Sequence, residues 1–395
     1  MMAALTRIFA RLLGRLPIGW LQLIHKPGRF AAAVAGVAFA NLLVLMQLGF
    51  LGALTGSISL PYRALEADIL IQSSDANTLQ DRSPLPRARM LEALAVLGIA
   101  SATTVHVGRL DWRQPDGSNV NLDVLGINPG LSALRLPEVE AARPLLAVGS
   151  FALVDRATRG LDPVLRARLE AGGTQRFEAN GHGVTVTGTF AIGGGFGADG
   201  FLVVSDQTFL RLFRNRSPGA PNLVLLRATP GEDITALVGR VSAALPTGDV
   251  VVRSVMEAAA ADTTFQTTRR PVGIIFGFGV AIGVLVGGII VYQVLSTDVA
   301  DHLREYATFK AMGYGRGTFL SIVLEEATIL ALAGVLPGAL AAASLYAGIS
   351  AMTGLPLTLE APRLASVFVG TVLLCLLSGT LATRRLARAD PAELF

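Results

Sequence analysis

Four apolar runs interrupt this sequence, at about Phe30–Leu54, Val272–Leu295, Ala327–Ile349 and Leu364–Ala382. Each comes close to or exceeds the roughly 20 residues that a helix needs to cross the hydrocarbon core of a bilayer. With no water there to pair backbone groups, such a run spans as a helix whose hydrogen bonds close within the segment. The sequence therefore predicts transmembrane helices at 30–54, 271–295, 319–349 and 364–383. Composition agrees, with 52% hydrophobic and 16% charged residues, where soluble domains carry about 25% charge.

Charge placement orients these spans. Arg7, Arg11, Arg15, Lys26 and Arg29 precede the first, Arg304, Lys310 and Arg316 lie between the second and third, and Arg384, Arg385 and Arg388 follow the fourth. The positive-inside rule puts both termini and the loop at 296–318 in the cytoplasm. The long segment 55–270 and the short connection 350–363 then lie outside, and 384–395 is a cytoplasmic tail. Arg269 and Arg270 break the pattern, but long translocated domains are largely exempt from it. Residues 1–29 read as an amphipathic helix, with Leu5, Ile8, Leu12 and Leu16 opposite the arginines, lying in the inner interface. The net charge of +4 gives no case for nucleic acid. Cys375, the single cysteine, falls inside the fourth span, so no disulfide can close within the chain.

The external segment alternates strand and helix signals. "EADILIQS" reads as a strand and "RARMLEALAVLG" as a helix, and "TVHVGRLDW" with "NVNLDVLGI" as a hairpin around Pro115, Asp116 and Gly117. A Gly-rich, β-rich middle follows from Phe151 to Ser205, then a strand, a helix near 231–245, a strand, and a helix from about Ser254 toward the second span. The expected fold class is an α-helical membrane protein with four transmembrane helices plus a large α+β periplasmic domain between helices 1 and 2. The outer parts, roughly 69–127 and 222–253, are expected to pack as one unit, with the β-rich middle as an insertion.

Catalytic chemistry finds no support. The only lysines are Lys26, before Pro27, and Lys310, before Ala311, so neither is the lysine of a Gly-Lys-Ser/Thr phosphate loop. "GGGFGADG" at 193–200 runs into a strand instead of a helix, which makes it a flexible turn rather than a phosphate cradle. The four histidines lack metal-ligand spacing and read as lone surface or loop residues. No Gly-x-Ser-x-Gly elbow occurs. No catalytic, metal or cofactor residue is expected. Glu325 and Glu326 are placed at the cytoplasmic edge of the third span, since charges in a membrane core are rare.

Two features carry partner chemistry. In "DHLREYATFKAMGYGRGTF", Leu303, Tyr306, Ala307 and Lys310 fall on one helical side, and Gly313 is placed to end the helix. In the first span, Ala32, Gly36 and Ala40 repeat every four residues, and Asn41 and Gln47 are amides that need partners. That stripe suits a helix–helix interface, either between two copies of the chain or within one.

One span, a large external domain and three further spans make an order that resembles the FtsX/MacB-like (type VII, mechanotransmission) ABC-transporter permeases. "EYATFKAMGYGRGTF" is similar to their cytoplasmic E-x-x-T-x-K-A-x-G segment, and "RADPAELF" to their closing Asp-Pro-Ala-Glu signature. "LPIGWLQL", "FANLLVLMQLGF" and "LEEATILALAGVLPG" resemble the DevC subfamily. The resemblance implies a non-catalytic inner-membrane permease and a MacB-like external domain. It implies dimerisation, most simply as a homodimer, and a separate ABC ATPase that binds the ATP. It also implies a periplasmic adaptor (membrane fusion) protein and a TolC-like outer-membrane channel. On this resemblance, coupling to the ATPase falls to Leu303, Arg304, Glu305, Tyr306, Lys310, Met312 and Gly313. Two related alternatives are a lipoprotein-releasing permease of the LolC/LolE sort and an FtsX-like signalling protein.

Overall fold

The computed structural model describes residues 18–302, 308 and 312–388. It divides into two compact units. One comprises the chain up to Leu51, Ile275–Ser350 and the chain from Leu357 on; the other comprises Gly52–Ile274 and Ala351–Pro356.

The first unit is built from long apolar helices. Among the described residues four are long and apolar enough to cross a membrane: Pro27–Ala64, Pro271–Asp301, Leu320–Thr353 and Ala361–Leu381. The first continues ten residues past the expected end at Leu54, and Pro61 lies inside it. At 1.5 Å per residue its 38 residues reach about 57 Å, well beyond the roughly 30 Å of a hydrocarbon core. Span ends are poorly marked in sequence because a helix continues into water wherever another surface covers it. Within this unit a buried cluster joins Trp20, Leu23, Val37, Leu295, Ile322, Val323, Ala327 and Leu330. A second gathers Leu45, Ala339, Ala342 and Val367. On the helix Pro271–Asp301, Ile275, Phe278, Ile282, Leu285 and Ile289 stay exposed at spacings of three and four, the pattern of a lipid-facing stripe.

The second unit is a mixed sheet with helices. Its strands are β1 (Ile69–Ser73), β2 (Ile99–Arg113), β3 (Asn119–Ile127), β4 (Phe151–Asp155), β5 (Gln175–Ala179), β6 (His182–Phe190), β7 (Gly200–Ser205), β8 (Leu223–Ala228) and β9 (Val250–Ser254). They form one nine-stranded sheet in the order β5-β6-β4-β7-β3-β2-β8-β1-β9. The hairpin of β2 and β3 pairs antiparallel from Val105↔Ile127 to Arg113↔Asn119. The pairs β3–β7 and β4–β6 are parallel.

This continuity corrects the expected β-rich insertion. The middle segment does not form a separate body, because β7 docks on the free edge of β3 from Leu122↔Gly200 to Ile127↔Ser205. The reason is burial: all six residues of β7 are buried, as suits a central strand apolar on both faces. The cores remain distinct although the sheet is shared. Ile69, Ile71, Val224 and Leu226 pack with Leu237 and Val241 of the helix Ile234–Ala244. Trp112, Leu122, Val154, Val186 and Val204 pack with Leu165 and Leu169 of the helix Pro163–Glu170 and with Phe209 of Asp206–Leu212.

The helix Val255–Thr268 starts at a complete capping box. Ser254 Oγ accepts from Glu257 N–H at 3.2 Å, and the Glu257 carboxylate accepts from Ser254 N–H at 3.0 Å. One turn on, Asp262 is buried and collects three donors. Tyr62 O–H and Leu79 N–H both reach Oδ2 at 2.9 Å, and Gln266 Nε2 reaches Oδ1 at 2.8 Å. This ties the end of the first long helix, the loop after β1 and the helix before the second span.

Burial raises the pKa of Asp262, against the pull of those donors. Between the unfolded and folded values the native state holds a proton that the unfolded chain has lost. Stability from this group is therefore full below about pH 4 and falls as pH rises through the folded value. Asp262→Asn, whose amide pairs with a flipped Gln266, is expected to flatten the fall of melting temperature with pH. Asp262→Ala, which strands Tyr62 and Leu79 N–H, is expected to cost about 3 kcal/mol at low pH and less as pH rises through the folded value. Thermal unfolding of the full chain across pH measures both.

Candidate functional site

The polar connection between the second and third spans is the leading candidate. Leu303, Arg304, Glu305, Tyr306 and Lys310 lie outside the described residues. Its two ends are described. At the start, the Asp301 carboxylate receives Lys26 Nζ at 3.3 Å and also pairs with Arg29 Nη1, so one acid meets two cations. All three are partly exposed, and each such pair is worth about 0–1 kcal/mol, enough to set a direction but not a fold. At the far end Met312 N–H donates to Thr308 O at 3.0 Å, and Met312 is exposed. Gly313 follows with φ of +90°, a backbone that side-chain-bearing residues rarely adopt, and the next helix opens at Arg316.

The first-span stripe divides in the structure. Ala32 is exposed. Gly36 packs on Ile290, with a Cβ there 2.7 Å from the Ile290 Cγ2. Ala40 is buried, its Cβ 3.0 Å from where a Gly287 Cβ would lie. Asn41 accepts from the Thr371 hydroxyl of the fourth span, and the Gln47 side chain lies over Gly279. Gly36, Ala40, Asn41 and Gln47 thus meet helices of the same chain. A close approach to first-span backbone escapes a search for four-residue repeats in the first span, because it lies on the third: a Cβ at Gly338 would sit 2.7 Å from Ala38 O and 2.9 Å from Asn41 Cβ.

Glu325 and Glu326 meet the helix Ile18–His25. The third helix starts at Arg316, and both carboxylates are buried against neighbouring helices rather than open to solvent. Trp20 N–H, in the first turn of the helix Ile18–His25, donates to Glu325 Oε1 at 3.1 Å. Gly19 lies against the same turn, where a Cβ would stand 2.9 Å from both Glu326 Cγ and Ile322 O. A carboxylate at a helix N-terminus meets its free N–H groups and favourable dipole end. The signal was the glycine before Trp20, which a purely interfacial helix does not need.

In the sheet unit the Gly-rich loop is tied down, not flexible. Asp155, fully buried, accepts Gly193 N–H at 2.6 Å, Ala157 N–H at 2.9 Å and Ile192 N–H at 3.3 Å. Arg159 donates to Gly195 O at 2.6 Å and pairs with Asp199 at 3.0 Å. His106 is likewise buried, stacked on Phe209 with centroids 5.2 Å apart, and burial lowers its pKa. Its place in the central strand β2 decides this, and no metal-binding group of acidic, His or Cys residues occurs among the described residues.

Comparison with known proteins follows the same division. Residues 277–391, which cover the second to fourth apolar helices and their connections, match the FtsX-like permease C-terminal family. A macrolide export ATP-binding/permease protein MacB of Nitrobacter winogradskyi is 26% identical over 139 residues, 35% of this chain and 22% of that protein. An uncharacterized ABC transporter permease YknZ of Bacillus subtilis is 30% identical over 119 residues, 30% of each chain. The chain thus spans less than a third of the length of these relatives. The periplasmic region of MacB from Actinobacillus actinomycetemcomitans aligns at 12% identity over 49% of this chain and 91% of that one, with a TM-score of 0.32. Residues 277–391, with the polar loop and the helices that frame it, are thus similar to the C-terminal domain of FtsX-like permeases.

Proposed function

We propose that this chain is the permease subunit of an ABC exporter, of the DevC type, driven by a separate cytoplasmic ATPase. The observation that carries the reading is the FtsX-like match over 277–391, which encloses the polar loop, in a chain whose two lysines cannot serve a phosphate loop. The ATPase dimer seats on Asp301–Gly313 of two permease copies, and closure on ATP moves the apolar helices. Within the sheet unit, Tyr62 donates to Asp262 on the helix Val255–Thr268 at 2.9 Å. The sheet unit stands in the periplasm, where it works with an adaptor and a TolC-like channel, and both termini lie in the cytoplasm of a bacterial inner-membrane protein.

Orientation is the first requirement of this reading. Reporter fusions after Arg63, Gly160 and Gly354 are expected to score outside, and those after Arg304 and Arg388 inside. A cytoplasmic signal at Gly160 contradicts it.

A further inference from the structure

The first, second and fourth apolar helices line a groove of about 230 Å³, open on one side, that the coupling reading does not use. Its wall is mostly apolar and small-residued, with Val44, Gly283, Gly287, Gly370 and Leu374; of its polar side chains, Ser366, Thr371 and Asn41, the last is buried to all but 4%. Thr371 has a single hydroxyl proton yet lies in reach of both the Asn41 amide and Val367 O, the latter at 2.8 Å. Wherever that proton points, the end of the Asn41 amide turned away from Thr371 has no partner. In surroundings without water an unpaired amide costs several kcal/mol.

Three occupants can be weighed on size and chemistry. One turn of a helix with its side chains, about 10 Å across and 5.4 Å tall, takes roughly 400 Å³, so a second copy's helix could cover the open side but not seat in the groove and pair the amide within it. A lipid acyl chain fills the space and leaves the amide unpaired. A cavity of about 150 Å³ already holds benzene, so a compact amphiphile fits. The Asn41 Nδ2 left without a partner needs an acceptor, which a hydroxyl oxygen supplies. We infer that the groove beside Asn41 binds a small amphiphile with an apolar body and one hydroxyl group. It is an intramembrane ligand site separate from the loop at Asp301–Gly313.

The test is photolabelling of the full chain, purified in dodecyl maltoside, with a diazirine analogue of 1-octanol and with the matching analogue of octane. The alcohol is expected to label peptides containing Gly283–Gly287 and Gly370–Leu374, and 1-octanol but not octane is expected to compete. Asn41→Leu is expected to weaken labelling about fivefold, the factor for one lost hydrogen bond. Gly370→Leu serves as a second variant, because a Cβ there meets nothing within 4 Å. It is expected to fill the groove and remove labelling without disturbing the fold. Equal labelling by the alkane analogue overturns the inference, as does labelling that survives both variants. Labelling lost on self-association of the chain also overturns it, since the groove is then an interface between copies.

Discussion

Gly338→Leu is expected to prevent recovery of the chain as a monodisperse, folded protein. The helix Arg316–Thr353 passes so near the helix Pro27–Ala64 that a Cβ at Gly338 stands 2.7 Å from the carbonyl oxygen of Ala38. Backbone cannot rotate away as a side chain can, so the two helices must separate or unwind. In lipid no hydrophobic force pulls helices together, and close packing of small residues carries much of their association. A cost of about 3 kcal/mol or more follows for inserting four carbons at such a point. Gly36→Leu makes the contrast. Its Cβ meets only the Cγ2 end of Ile290, which can change rotamer, and about 1 kcal/mol is expected. Size-exclusion profiles and melting temperatures of the two variants in one detergent give the comparison. A Gly338→Leu protein that behaves like the parent while Gly36→Leu collapses would reverse the assignment of the close contact.

What the sequence disclosed follows the range of the forces involved. The spans are legible because a run of about 20 apolar residues has one stable state in lipid, and the residues alone decide it. The β2–β3 hairpin is legible because Pro115, Asp116 and Gly117 set a turn between alternating strands. The joining of β7 to β3 is not, because it pairs Leu122 with Gly200 across a segment that also holds β4, β5 and β6. Helices Pro137–Val148 and Pro163–Glu170 are short and weakly marked, although each carries proline in its first turn, and Glu138 and Glu140 favour the start of the former. Pro144 inside the first disguises it. Of the site, the first-span amides were legible as groups in need of partners, and Thr371 and Gly279 as their neighbours were not. Burial of Glu325 depended on a helix some 300 residues earlier, beyond any local signal.

The central claim, that the loop at Asp301–Gly313 receives a separate ATPase, rests on a short list of side chains. Tyr306 and Lys310 stand four residues apart in sequence, so a helix puts an aromatic and a cation on one face, the arrangement a groove on a soluble partner can hold. Both lie outside the four apolar helices, and exchange of both for alanine is expected to leave the melting temperature of the membrane protein within about 2 °C. Binding is where the loss is expected. Removing an aromatic anchor and a charge from one contact costs about 2–4 kcal/mol, or some 30- to 1000-fold in affinity. The decisive measurement is co-purification of the ATPase on tagged chain, wild type against Tyr306→Ala/Lys310→Ala, from the same membranes. The account predicts a stoichiometric ATPase on the wild type and its loss from the double variant, with export lost as well. A double variant that retains its ATPase and exports normally would contradict it.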